Sequence, residues 1–127
     1  MSETIHSSDA VQPVAAYSQA VVAGDLLFVS GQIPLDPATG VLISDSIESA
    51  TAQSITNVQR VLEAAGLGLQ HVVKATVFLI DSADYAAMDA TYRDHLPKPY
   101  PAREAVFVKG LPKGARVEIS VIAHRNR

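Results

Sequence analysis

The sequence predicts an α+β fold: one mixed sheet of about six strands with two helices on a single face. Two observations carry this. Apolar residues recur at helical spacing in only two segments, while β-branched runs bounded by turn residues fill most of the remainder. In addition, one strand, VVKATVFLI, is apolar on both sides, so it is central and needs cover on both faces. Two helices cover one face of such a sheet. The other face is then left for a second copy of the chain, and a homo-oligomer is expected.

The elements follow in chain order. Residues 1–13, MSETIHSSDAVQP, are polar and predict a flexible arm ahead of a single domain over residues 14–127. In SQAVVAGDLLFVSGQ, two apolar runs flank Gly24 and Asp25, which predicts a β-hairpin. Asp36 to Gly40, DPATG, is a turn, and VLIS after it is a candidate short strand. Ile47, Ala50, Ile55, Val58, Val61 and Leu62 then recur at helical spacing. Asp45 or Ser46 can cap this helix and Gly66 can end it. HVVKATVFLI is a strand, with Val73, Ala75, Val77 and Leu79 on one side and Val72, Thr76, Phe78 and Ile80 on the other. Asp81 or Ser82 caps a second helix, which Pro97 stops. AREAVFV and RVEISVIAH are the last strands, joined by the turn-rich KGLPKGA. A strand–helix–strand link in this order predicts a right-handed crossover.

Composition excludes several classes of function. The 127 residues are 48% hydrophobic and 18% charged, enough for a core. A net charge of −3 supplies no basic field for nucleic acid or anionic membrane. No cysteine is present, so disulfides and thiolate chemistry are excluded. The four histidines are scattered without metal-ligand spacing, so no metal site is expected. The N-terminus lacks the apolar core of a signal peptide and no apolar run is long enough to span a bilayer, which predicts a cytoplasmic protein.

Charge on the last strands concentrates the functional question. By alternation, Arg103, Ala105 and Phe107 share one face of their strand and Glu104, Val106 and Val108 the other, so Glu104 cannot neutralise Arg103. Glu118 sits mid-strand between Val117 and Ile119, where a carboxylate needs a partner or a purpose. Arg103 and Glu118 can form a structural ion pair, or both can lie exposed at a sheet edge. Alternatively, Arg103 grips a substrate carboxylate through parallel hydrogen bonds while Glu118 holds a water, an arrangement suited to metal-free hydrolysis of a small molecule. Gly31 within a strand suggests close approach of backbone or ligand, and Tyr17 is either core or pocket wall.

YSQAVVAGDLLFVSGQIPLDPATG, IESATAQSITNVQRVLEAAG, VVKATVFLIDSADYAAMDATY, YPAR and LPKGARVEISVIA together resemble the RidA family, also called YjgF or YER057c-type proteins, from about Tyr17 to Ala123. The resemblance implies a chorismate-mutase-like fold and a homotrimer with ligand sites between subunits. It implies cofactor-independent hydrolysis of reactive enamines and imines, such as 2-aminoacrylate, to 2-keto acids and ammonia. Carried over by position, Arg103 matches the arginine that binds the substrate carboxylate and Glu118 the glutamate that positions water. Tyr17, Ser30 and Gly31 match pocket residues, and the Ala105 N–H matches a further carboxylate donor. The family also contains 2-aminomuconate deaminases, proteins described as ribonucleases or chaperones, and members without proven activity, so a non-catalytic carboxylate-binding or interaction protein is the alternative. Five positions depart from the family pattern: Ala15-Ala16 replace Gly-Pro, Glu104 replaces Ser or Thr, Ala105 replaces Cys or Thr, and Asp89 stands where asparagine is usual. Near the pocket, Asp89 would compete for Arg103 or repel an anionic substrate.

Overall fold

The computed structural model describes residues 2–127. Six strands form one sheet: β1 (Ser2–Ile5), β2 (Ala20–Ala23), β3 (Leu26–Gln32), β4 (Val72–Leu79), β5 (Ala102–Phe107) and β6 (Val117–His124). Their spatial order is β1-β2-β3-β6-β4-β5, with β4 and β5 parallel and every other pair antiparallel. Helix α1 (Ile47–Ala64) connects β3 to β4, and α2 (Tyr85–His95) connects the parallel pair β4 and β5.

The local signals act as the sequence indicates. Gly24 has φ 62° in the two-residue turn between β2 and β3, a conformation that glycine adopts without strain. Ser46 caps α1, its Oγ accepting from the Ser49 N–H at 3.0 Å. The helix closes with Gly66 N–H donating to Glu63 O and Leu67 N–H to Leu62 O, the paired bonds of a Schellman motif. Asp81 Oδ1 accepts from the Ala83 N–H in a 3-10 turn that leads directly into α2. The helix ends at His95, two residues before Pro97.

The core lies between one sheet face and the helices. Leu27, Ala75, Val77, Val117 and Ile119 meet Ile55, Val58, Val61, Leu62 and Met88, all buried. The opposite face carries Phe28, Thr76, Phe78, Glu118, Ser120 and Ile122, and Phe28 is 42% exposed. No helix among the described residues is long and apolar enough to cross a membrane.

Three expectations need correction. Residues before Pro13 are not simply an arm, because Ser2–Ile5 pairs with β2 as an edge strand. Four polar-flanked residues are too short for alternation to show. The segment VLIS is not a strand, and only a single bridge, Leu35 with Leu42, forms there. Finally, Val72 is buried in the core rather than aligned with Thr76 and Phe78. The pairing of β4 with β6 slips between Val72 and Lys74, and a bulge there reverses the side that Val72 faces.

Candidate functional site

Glu118 and Gly31 are brought together by a second irregularity. Between Val29 and Gln32, β3 advances three residues while β6 advances two, from Val121 to Ile119. Ser30 and Gly31 therefore stand against Ser120 alone, the pattern of a β-bulge. The bulge lays the Glu118 side chain over Gly31. A Cβ on Gly31 would lie 2.8 Å from Glu118 Cδ and 3.1 Å from Oε1, so only glycine leaves this carboxylate its place. Among the described residues the Glu118 carboxylate has no ion-pair partner. Burial pushes its pKa above the ordinary carboxylate value.

Glu118 forms part of the wall of a pocket of about 600 Å³, together with Tyr17, Ser30, Gly31, Val14 and Pro112. Tyr17 is 49% exposed, so it is pocket wall rather than core. Ser30 is fixed twice, its N–H donating to Gln19 O at 2.9 Å and its Oγ–H to Ser18 O at 2.6 Å. Gln19, which is fully buried, tethers the N-terminal segment to the wall. Its Oε1 accepts from Ser7 N–H at 2.6 Å, and its Nε2 donates to Ser7 O at 3.2 Å and Val11 O at 2.9 Å.

Arg103 lies on the other face. It pairs with Ala75 on β4, whereas Glu118 pairs with Phe78, and Ala75 and Phe78 point to opposite sides. The structural ion pair between Arg103 and Glu118 is therefore not formed. Instead, Arg103 sits on edge strand β5 against α2 and is 17% exposed. Its Nη1 donates to Asp89 Oδ1 at 2.9 Å and its Nη2 to the Tyr85 hydroxyl at 2.8 Å. The guanidinium carbon lies 4.8 Å from the centre of the Tyr92 ring, within cation–π range. The Tyr92 phenol is raised above its ordinary pKa chiefly by burial. Two of five guanidinium N–H groups are thus engaged in these side-chain bonds. Ala105 is next inward on the same strand face, half-buried. Glu104 points to the bare face and pairs with Lys74 at 2.7 Å, as alternation requires.

Two separate groups of candidate residues result. Tyr17, Ser30, Gly31 and Glu118 converge at one pocket, while Arg103, Asp89 and Ala105 gather at the β5 edge. Tyr85, Tyr92 and Arg93 were not anticipated, although their signal was present: residues 85, 89, 92 and 93 share one side of a helix at 3.6 residues per turn.

The endoribonuclease L-PSP family model matches residues 7–125. The chain belongs to the RidA family. A RutC family protein from Pyrococcus horikoshii is 43% identical to this RidA-family chain over 125 residues, 98% of this chain and 99% of the relative. The 2-iminobutanoate/2-iminopropanoate deaminase of Capra hircus is 40% identical over 119 residues, 94% of this chain and 87% of the relative. The crystal structure of E. coli TdcF with bound serine superposes with a TM-score of 0.92 at 36% identity, covering 97% of this chain and 98% of that one. The RidA fold expected from the sequence, one domain with a six-stranded mixed sheet and two helices, is the fold found.

Proposed function

We propose that this RidA-family chain is a cofactor-independent, cytoplasmic hydrolase that deaminates small 2-imino acids, its sites built between subunits of a homotrimer. The observation that carries this reading is the placement of Arg103 and Glu118 on opposite faces of one sheet, each with unspent capacity. Arg103 keeps free donors and Glu118 keeps an unpaired carboxylate. One chain cannot bring both to one small molecule. A second copy, packed on the bare sheet face, can offer its Arg103 to this chain's pocket.

The chemistry needs little more than placement. Arg103, with the Ala105 N–H beside it, holds the substrate carboxylate. Glu118 takes a proton from water as the water oxygen bonds to the electrophilic iminium carbon. It then returns that proton to nitrogen, and as the carbon–nitrogen bond breaks it takes up the remaining hydroxyl proton so that the carbonyl forms, releasing ammonia and a 2-keto acid and passing the last proton to solvent. A carboxyl raised by burial is better matched to both transfers than an ordinary one. The deaminase named among the relatives and the serine in TdcF, itself a small carboxylate, support the substrate class.

The test is to generate 2-aminoacrylate in situ and time pyruvate release. Arg103→Ala lowers kcat/KM by about 10- to 150-fold, the equivalent of about 1.5–3 kcal/mol for a lost charged contact. Equal rates for variant and wild type overturn the reading. Asp89 on Arg103 favours a second reading, a binder of carboxylates without catalysis. It requires calorimetric binding of 2-oxobutyrate with no turnover of any imine tried.

A further inference from the structure

Asp89 touches two guanidinium groups, not one. Its Oδ1 accepts from Arg103 and its Oδ2 accepts from Arg93 Nη2, at 2.9 Å each. The two contacts differ in setting: Arg103 is 17% exposed and packed on Tyr92, whereas Arg93 is 61% exposed. A solvated i,i+4 pair of this kind contributes little to stability. Its position gives it another consequence. Without Arg93, the carboxylate of Asp89 would be set against Arg103 alone, and the two would sum to zero charge where an anion must bind. With Arg93, the triad sums to +1, because two cations share one anion.

We propose that Arg93 is a positioning and charge-balancing residue of the carboxylate site. It draws on the second oxygen of Asp89, so that Asp89 can hold the Arg103 guanidinium without cancelling its field. This inference rests on the proposed role of Arg103 as a carboxylate clamp. It also assigns a purpose to a carboxylate that would otherwise work against an anionic substrate. The affinity for a small carboxylate then follows the summed charge of residues 89, 93 and 103. Arg93→Gln brings the sum to zero, Asp89→Asn with Arg93→Gln restores +1, and Asp89→Asn alone gives +2 while keeping an oxygen to accept from Arg103.

The experiment is calorimetric titration of 2-oxobutyrate into wild type, these three variants and Arg103→Ala, at low and high salt. At low salt, Arg93→Gln weakens binding about three- to tenfold, the effect of one unit charge near a partly solvated site. The double variant returns to within about twofold of wild type, Asp89→Asn binds at least as tightly as wild type, and the differences shrink at high salt. A purely structural contact would show neither the rescue nor the salt dependence. Wild-type affinity in Arg93→Gln, or a double variant no better than Arg93→Gln, overturns the inference. If Arg103→Ala alone loses binding while Arg93→Gln matches wild type, this inference falls and the clamp stands. If Arg103→Ala matches wild type, whether or not either binds, both fall.

Discussion

At the scale of single residues, Glu118 shows how a buried carboxyl can cost stability. Burial raises its carboxyl above the ordinary value of 4.5, so the folded chain holds that proton more tightly than the unfolded chain does. The contribution of this group to stability is therefore fully present below about pH 4.5 and is lost as pH rises through the raised value. Glu118→Gln should raise Tm relative to wild type at neutral pH, with the gain disappearing in acid. Thermal unfolding of both proteins across that range checks this, and a Tm difference that does not vary with pH would contradict it. Activity should run the opposite way. The rate should fall on the acid side as Glu118 takes up its proton, with the midpoint above 4.5.

At the scale of elements, the bulge in β3 and one surface of α2 position the candidate residues. Gly31→Ala tests the bulge in β3. The added methyl meets the far end of a flexible side chain, so the fold should lose no more than about 1 kcal/mol while the carboxylate is pushed off its position. Near-wild-type Tm together with a kcat/KM loss of about tenfold or more is the expected pair of results. Much of this level was legible in the sequence. Alternation gave the faces of β5 and β6, hence the separation of Arg103 from Glu104, and Ser46 and Gly66 bracketed α1. The bulges were not legible, because a one-residue slip depends on pairing between strands distant in sequence and leaves no period of its own. Strand β1 escaped for a related reason: it is held by pairing with β2, Ile5 against Ala20, and by the Gln19 bond to Ser7 just beyond it, contacts between residues distant in the chain. Asp89 drew attention as a departure from a family pattern, but its contact with Arg103 spans 14 residues and required the packing of α2 on β5.

At the scale of the whole molecule, the bare sheet face and the separation of Arg103 from Glu118 make one joint prediction. If each site takes Arg103 from one subunit and Glu118 from the next, two inactive proteins can complement each other. Arg103→Ala and Glu118→Gln chains, mixed equally and reassembled from denaturant, should recover about one quarter of the wild-type activity, since each site then draws both intact residues one time in four. Fluorescence- or mass-based detection of mixed assemblies should accompany the assay. Mixed assemblies without activity would place both residues of a site in the same chain or in none.

The bond from Ser30 to Ser18 has a chemical corollary. A carbonyl oxygen bears no hydrogen, so the hydrogen in that 2.6 Å contact is the one on Ser30 Oγ. What remains for the cavity is a lone pair. Such a lone pair welcomes a nitrogen that carries hydrogens and is indifferent or hostile to a ketone oxygen. Under the proposed deamination, an imine is thus received here and the ketone formed from it is released.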